Sequence, residues 1–227
     1  MGHVAMNLDN DYRFENFIVG PSNQFAYFAA IAVAEKPAQS YNPFLMYGNA
    51  ALGKTHLLNA IGLKIVSLYP ALNIICVSAE TFKNELIISI HSDETQTFRD
   101  KYTNIDCLLI DDIQMIVGQE RMQTEFCQIL RPMCDMNKQI VITCNQSPEN
   151  IPNFEGRRLF KKIEWSLIAD IQEPCDIETK IAIIERMANK LDLKLTGDFI
   201  QYLVLKTDTM KDIYDQLLAN LLLKERK

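Results

Sequence analysis

The feature that most constrains this chain is a glycine-rich loop between an apolar run and a stretch with helical periodicity. The loop follows the spacing G-x-x-x-x-G-K-[ST] and reads Gly48-Asn49-Ala50-Ala51-Leu52-Gly53-Lys54-Thr55. Residues 43–47 predict a strand before it, and apolar positions in residues 56–66 predict a helix after it. Strand, loop and helix in this order are the context in which such a motif binds phosphate.

The chemistry of this loop predicts nucleotide binding. Glycines let the backbone curl, so that successive amides and the helix N-terminus point at a phosphate. Lys54 is then expected to reach the β- and γ-phosphates, and the Thr55 hydroxyl to coordinate Mg²⁺. The alternative is a plain strand-to-helix turn that carries Gly-Lys-Thr by chance, and the surrounding pattern disfavours it.

Two carboxylates at the end of a later apolar run support the same site. Residues 105–110 predict a buried strand that ends at Asp111 and Asp112. In P-loop proteins a strand-end Asp holds Mg²⁺ and its neighbour can orient the attacking water, so we assign Asp111 to Mg²⁺ and Asp112 to water. Asn145 ends another predicted strand and is a candidate for positioning water, although capping of the turn before Pro148 is the simpler explanation.

Composition limits the class of protein. With 227 residues, 48% of them hydrophobic, and a net charge of −6, the chain suits one α/β domain with a small second lobe rather than a duplex-DNA binder. No apolar run approaches the roughly 20 residues of a membrane span, and we expect no signal peptide. Cys76, Cys107 and Cys144 lie in or beside apolar runs without a C-x-x-C pair, which predicts buried reduced thiols and a cytoplasmic location.

The remaining pattern alternates helices and strands. Either Thr81 or Ser78 is expected to cap the helix at residues 83–90, and Pro132 to bend the helix at residues 119–136. The other predicted elements are helices at 21–34 and 95–102, strands at 73–77 and 138–145, and three C-terminal helices at 176–191, 196–206 and 210–223. We therefore predict an α/β parallel-sheet nucleotide-binding domain over residues 1–170 and a helical lid over residues 171–227.

Four stretches carry a family resemblance. They are Tyr12-Arg13-Phe14-Glu15-Asn16-Phe17-Ile18-Val19-Gly20-Pro21-Ser22-Asn23, Gly53-Lys54-Thr55-His56-Leu57, Leu108-Leu109-Ile110-Asp111-Asp112-Ile113-Gln114 and Glu164-Trp165-Ser166-Leu167. Together they resemble the P-loop AAA+ domain of the bacterial replication initiator DnaA. The resemblance is continuous from about Leu8 to Met187 and weaker beyond it.

The resemblance implies an ATP-switched assembly. Such domains bind ATP or ADP with Mg²⁺, stack into an ATP-dependent filament and engage single-stranded origin DNA. The implied nucleotide contacts are Val19, Gly20, Asn23, every residue from Gly48 to Thr55, His56 and Lys211.

A helical insertion at residues 80–102 is expected to face the DNA, with Ile87 touching the strand. Arg121 matches a basic DNA contact of the family. The family carries Gly-Lys-Glu-Arg here, whereas this chain reads Gly118-Gln119-Glu120-Arg121 and lacks one basic residue. Its affinity for single-stranded DNA is therefore expected to be weaker.

Two departures from the family bear on catalysis. The arginine-finger position falls on Lys162, or on Arg158 if the register slips, and Lys211 replaces the arginine of the lid. Lysine keeps the charge but loses the planar two-pronged grip on phosphate oxygens. We therefore predict intact nucleotide binding and hydrolysis that is slow or dependent on assembly.

The chain lacks the duplex-binding helix-turn-helix and the amino-terminal domain of the family, so an excised central domain is expected rather than a short DnaA-like protein. Two other functions stay open. One is a regulatory partner that docks on a true initiator and promotes its ATP hydrolysis, which the lysines favour. The other is a helicase-loader ATPase, which the segment at residues 12–23 and Glu164-Trp165 disfavour. A metabolic P-loop kinase is the least expected.

Overall fold

The computed structural model describes residues 8–116, 119–150 and 166–224, and their core is one parallel sheet. The strands are β1 (Phe44–Tyr47), β2 (Ile74–Ser78), β3 (Cys107–Asp111), β4 (Gln139–Cys144) and β5 (Leu167–Asp170). Their spatial order is β2-β3-β4-β1-β5, and each neighbouring pair is parallel. This confirms the predicted α/β parallel-sheet fold.

Helices cover both faces of the sheet. They are α1 (Gln24–Glu35), α2 (Lys54–Leu68), α3 (Ala79–His91), α4 (Thr95–Thr103), α5 (Glu120–Asp135), α6 (Ile177–Lys190), α7 (Gly197–Lys206) and α8 (Met210–Lys224). Short 3₁₀ turns lie at Phe14–Asn16, Ile113–Ile116 and Pro148–Asn150. No helix in this described part of the chain is long and apolar enough to cross a membrane.

Alternate residues of the strands enter two separate hydrophobic clusters, as the period of two dictates. Phe44 and Met46 belong to the cluster that includes α1 and α2, whereas Leu45 belongs to the cluster that includes α3, α4 and α5. Cys76 and Cys107 are buried in the first cluster and Cys144 in the second, as expected for structural thiols. The sheet is therefore buried on both faces except at the edge strand β5, where Ile168 is 43% exposed.

The lid helices continue the first cluster. Ile184 of α6, Leu203 of α7 and Ile213 of α8 are fully buried in it. The first turns of α6 and α7 are capped by side chains, since Asp176 accepts from the Thr179 amide at 2.7 Å and Thr196 from the Phe199 amide at 3.3 Å. The lid thus packs against the core with defined helix starts. The boundary at residue 170 stays a prediction.

Several details differ from the sequence expectations. Helix α1 begins at Gln24 rather than at residue 21. Ser78 is the cap of α3, because its Oγ accepts from the Thr81 amide at 3.1 Å. Helix α5 runs through Pro132 and ends three residues later. Strand β5 was not predicted, since it is only four residues long and its residues gain a strand partner only beside β1.

The topology brings the functional motifs to one edge of the sheet. The carboxyl ends of β1 and β4 are in register, with Tyr47 opposite Cys144. The first loop residue, Gly48, donates its amide to the Cys144 carbonyl at 3.2 Å. Strand β3 is the other neighbour of β4, so its terminal Asp111 reaches the same edge. Ligands of open parallel sheets bind at this edge.

Candidate nucleotide-binding site

A cleft of about 600 Å³ lies where the glycine loop, the N-terminal segment and the lid meet. Most residues that the sequence assigned to nucleotide or catalysis line it: Asn23, Ala50, Ala51, Leu52, Gly53, Lys54, Thr55, His56, Asp112, Asn145 and Lys211. The other assigned residues on the described chain, Val19, Gly20, Gly48, Asn49 and Asp111, lie outside this lining. The fold therefore gathers chemistry from five separate stretches of the chain into one concave site.

The glycine loop is closed on itself by its lysine. The Nζ of Lys54 donates to the Gly48 carbonyl at 2.9 Å and to the Asn49 carbonyl at 2.7 Å. Gly53 has a φ of +88° and Ala51 a φ of +64°, so the loop bends through the left-handed region twice before α2 begins. Burial lowers the pKa of Lys54, while Asp112 and Asp111 act in the opposite direction. A buried ammonium is thus held at the point where the helix N-terminus opens.

Asp111 is fixed by two hydroxyl groups. Thr55 Oγ1 donates to its Oδ2 at 2.6 Å, and Thr143 Oγ1 on β4 donates to its Oδ1. Burial raises the pKa of the Asp111 carboxyl above its ordinary value, and the two hydroxyl bonds oppose that shift. The first turn of α2, β3 and β4 are therefore joined through one carboxylate.

A second polar link joins the next residue to the end of β4. The Asp112 amide donates to Thr143 Oγ1 at 2.9 Å, and its carboxylate Oδ1 accepts from Gln114 Nε2 at 2.9 Å. The Oε1 of the same Gln114 accepts from the Asn145 amide at 3.0 Å. Asp112, Gln114 and Asn145 all line the cleft, so the two strand ends face it as one hydrogen-bonded unit.

The N-terminal segment forms another wall of the cleft. His56 Nε2 donates to the Arg13 carbonyl at 2.7 Å, and its ring lies 5.0 Å from that of Tyr12 and 5.1 Å from that of Phe17. Burial lowers the pKa of His56, although the bond to Arg13 opposes this. His56 therefore acts in the structure as an anchor for this segment as well as a lining residue.

The lid is tied to this wall by a cation. Lys190 of α6 places its Nζ 3.5 Å from the centre of the Tyr12 ring and 3.1 Å from the Asp9 carboxylate. Arg186, one turn earlier, donates to the Asp11 carbonyl at 3.2 Å. These contacts connect residues about 175 positions apart in the chain and hold one side of the cleft closed.

Asn23 and Gly20 shape the turn before α1. Asn23 is 4% exposed, and its side chain accepts from the Gly20 amide at 2.9 Å and donates to the Ile18 carbonyl at 3.0 Å. A Cβ on Gly20 would come within 2.6 Å of Thr179 Oγ1 in the lid. Val19, directly before Gly20, is 40% exposed. Asn23 therefore fixes the turn before α1, and the glycine at position 20 lets this turn pack closely against the lid.

The residues assigned to DNA lie away from the cleft. Ile87 on α3 is half-buried and packs against the second hydrophobic cluster, whereas its neighbour Ile88 is 66% exposed. Arg121 is exposed in the first turn of α5. Arg158 and Lys162, the two candidates for a finger, lie outside the described residues.

Gln114, Thr143, Tyr12 and Lys190 are among the site residues that the sequence did not identify as such. Gln114 was noted only as part of the Asp-Asp-Ile-Gln stretch, and its place two residues after the carboxylates was the available signal. Thr143 lies in the largely apolar strand β4, and a buried polar side chain there needs a hydrogen-bond partner. Tyr12 was part of the stretch that carries the family resemblance, and Lys190 gave no signal, because only the folded chain brings the two together.

The donor set suits Mg²⁺. Within the described ranges no group of three His, Cys, Asp or Glu side chains could enclose a metal. Thr55 and Asp111 nevertheless offer one hydroxyl and one carboxylate within hydrogen-bond distance of each other. Mg²⁺ prefers oxygen ligands and keeps several waters and phosphate oxygens, so it needs only one or two protein groups. These two residues fit that requirement.

Comparison with known proteins adds independent evidence. The family model for the bacterial DnaA ATPase domain matches residues 8–170. The chromosomal replication initiator protein DnaA of Thermus thermophilus is 44% identical over 196 residues, which is 86% of this chain and 44% of the relative. The chain thus spans less than half the length of the curated relatives it matches.

Solved structures agree with this match. Domain III of the Thermotoga maritima replication initiation protein DnaA superimposes with a TM-score of 0.86 at 35% identity, covering 97% of this chain and 92% of that chain. A replication initiator DnaA bound to AMPPCP and single-stranded DNA gives a TM-score of 0.79 at 30% identity, covering 96% of this chain and 69% of that chain. The motif, the fold, the cleft and these likenesses together show that the chain belongs to the bacterial DnaA ATPase-domain family.

Proposed function

We propose that this chain is the ATP-binding AAA+ part of a DnaA-type replication initiator, which assembles when ATP is bound and engages single-stranded origin DNA. The observation that carries the proposal is the pair of hydroxyl bonds that fixes Asp111 at the sheet edge. Thr55, Asp111 and Thr143 join the glycine loop to two strand ends, and the lid closes the cleft beside them. Such an arrangement responds to the γ-phosphate because loop, strands and lid meet there.

ATP or ADP would occupy the cleft with its phosphates at the N-terminus of α2. The Lys54 ammonium, which binds two loop carbonyls, would exchange them for phosphate oxygens. Thr55 and Asp111 would hold Mg²⁺, which would neutralise charge on the β- and γ-phosphates. Lys211 lines the lid side of the cleft and would contact phosphate from there.

For DNA we propose the surface formed by α3, α4 and the start of α5. The related initiator solved with AMPPCP and single-stranded DNA supports this class of ligand. On α3 the 66% exposed Ile88 stands beside the assigned Ile87 and offers an apolar surface to a base. Arg121 offers an exposed cation to a phosphate. Stacking or apolar contact with bases and ion pairs with phosphates are the two components of single-strand binding.

The helices of this surface are held together by charge pairs. Arg99 of α4 forms two bonds to Glu125 of α5, at 2.8 and 2.9 Å. Glu85 of α3 accepts from both Lys101 at 2.6 Å and Tyr102 at 2.8 Å. A fixed surface loses less conformational entropy on binding a flexible strand.

Hydrolysis is proposed to be slow or to depend on assembly, since lysine stands at the lid position and at one of the two candidate finger positions. Other initiator or helicase-loading proteins are further proposed partners, and a cytoplasmic location stays a prediction. The regulatory function is the second candidate. It is favoured by the lysines, because a subunit with weak turnover of its own could still supply a cation to a neighbour.

The deciding experiment is fluorescence anisotropy of a labelled single-stranded oligonucleotide titrated with the protein. It is run with a non-hydrolysable ATP analogue or with ADP, after nucleotide binding has been confirmed separately. We expect tight, cooperative binding with the ATP analogue only. Equal or absent binding in both states would contradict the initiator proposal, and assembly only with a full-length initiator would favour the regulator.

Matched variants make the result specific. Lys54→Ala should abolish the ATP effect because it removes the phosphate contact. Arg121→Ala should weaken binding of all sequences and reduce the salt dependence by about one ion, since it removes one phosphate contact. Lys206→Ala on α7 removes an exposed cation elsewhere and should leave binding unchanged.

A further inference from the structure

The side chain of Gln114 connects two positions that face the cleft. It lies in the 3₁₀ turn Ile113–Ile116 that follows β3. Its Nε2 donates to Asp112 Oδ1 at 2.9 Å, and its Oε1 accepts from the Asn145 amide at 3.0 Å. The side-chain amide of Gln114 thus uses one donor and one acceptor to link the ends of two neighbouring strands.

Asp112 sits in a backbone conformation that its surroundings must maintain. Its φ of +57° is in the left-handed region, which a non-glycine residue adopts only at a cost. The main chain is held by the bond from its amide to Thr143 Oγ1 at 2.9 Å. Within the part of the chain that the structure describes, its carboxylate accepts one hydrogen bond, from Gln114. The direction of that carboxylate therefore depends on Gln114.

We propose that Gln114 is a positioning residue for ATP hydrolysis, which orients the Asp112 carboxylate and ties it to the end of β4. The inference rests on the proposed function. In the reaction, the water oxygen bonds to the γ-phosphorus while the bond to the β–γ bridging oxygen breaks. The electron pair stays with ADP, and the water proton passes to Asp112 and then to solvent. Gln114 touches none of these atoms and acts by fixing the group that receives the proton.

An amide is required because the two bonds have opposite polarity. Glu at this position can still accept from the Asn145 amide, but its ionised carboxylate cannot donate to Asp112 and adds a like charge beside it. Met keeps the length of the side chain and makes neither bond. Because misplacement of a catalytic group by about 1 Å can cost about 100-fold in rate, loss of one orienting bond is expected to cost about tenfold.

The experiment measures hydrolysis of radiolabelled ATP under single-turnover conditions, together with the affinity for a fluorescent ATP analogue. It compares the unchanged chain with Gln114→Glu, Gln114→Met, Asp112→Asn and the double variant Asp112→Asn with Gln114→Met. Gln128→Glu, on the exposed side of α5, is the matched control for the change in charge. Circular dichroism establishes that each variant is folded.

We expect both Gln114 variants to hydrolyse ATP about tenfold more slowly, with ATP affinity within about threefold of the unchanged chain, and Gln128→Glu to match it in both respects. In the Asp112→Asn background, Gln114→Met should cost less than about twofold, because Gln114 acts through Asp112. If Gln114→Met slowed hydrolysis by the same factor with Asp112 and with Asn at position 112, the inference would be overturned. It would also be overturned by a parallel loss of affinity, unchanged rates, or a chain that binds ATP without hydrolysing it even at the protein concentration at which it assembles. Failure of the unchanged chain to bind ATP would instead overturn the proposed function.

Discussion

Gly48→Ala separates two reasons for a glycine at the start of the phosphate loop. One reason is close approach of a phosphate to the backbone. The other is packing within the protein, because a Cβ at Gly48 would come within 2.2 Å of the Ile171 carbonyl oxygen, just after β5. The φ of Gly48 is also +154°, which L side chains rarely adopt. The structure therefore predicts that the substitution is harmful before any nucleotide binds.

The expected cost follows from these two effects. Backbone strain of this kind costs about 1–3 kcal/mol, and overpacking against a group that cannot move aside costs about 1–3 kcal/mol. Their sum is about 4 kcal/mol, a large share of the roughly 5–15 kcal/mol that stabilises a domain. At a slope of about 3 kcal/mol per molar urea, the unfolding midpoint should fall by about 1.3 M.

The assay is urea unfolding followed by circular dichroism without nucleotide. Gly197→Ala is the matched control, since nothing lies within 4 Å of a Cβ at this first residue of α7. It should stabilise the protein by about 0.4–1 kcal/mol by restricting the unfolded chain. A loss below about 1 kcal/mol for Gly48→Ala, or a loss that occurs only with nucleotide, would refute the packing argument.

Two further predictions concern the carboxylate and the lid. Asp111→Asn should raise the stability of the nucleotide-free protein at neutral pH and weaken Mg²⁺-dependent ATP binding. Burial raises the pKa of the Asp111 carboxyl in the folded protein above its ordinary value of 3.8. The folded state therefore keeps its full stability below pH 3.8, where this carboxyl is neutral, and loses stability as the pH rises through the folded pKa. Thermal melts between about pH 4 and 8 should therefore show a gain that grows with pH. Lys190→Met should speed nucleotide release several-fold in stopped-flow measurements. Loss of the Lys190 contacts with Tyr12 and Asp9 should lower the free energy of unfolding by less than about 1 kcal/mol.

Each of these has a contrary outcome. A gain for Asp111→Asn that is the same at all pH values would mean that ionisation of this carboxylate is not what destabilises the fold. A release rate that Lys190→Met leaves unchanged would mean that the lid is not held by its contacts with the N-terminal segment. Lys194→Met, a change in the same class of residue outside the cleft lining, is the control for the second test.

Local patterns predicted most of the helices and strands of the fold. The strand before Gly48 and the helix after Thr55 follow from periodicity and from the glycine loop between them. Strand β3 ends at Asp111 as predicted, because apolar residues cease where the sheet edge begins. Where the pattern left two caps open, at Ser78 and Thr81, geometry decided for Ser78. Strand β5 escaped prediction because four residues carry too little periodicity.

The sequence by itself therefore determined the type of site, since a phosphate loop and a strand-end carboxylate pair are encoded by neighbouring residues with fixed spacing. Only the tertiary structure decided how the carboxylates are held. Gln114 meets Asn145, and Asp111 meets both Thr55 and Thr143, across distances in sequence that no local pattern spans. The contact of Lys190 with Tyr12 depends in addition on how the lid packs. Such bonds form only when burial of the two hydrophobic clusters fixes the strand order and brings the strand ends together.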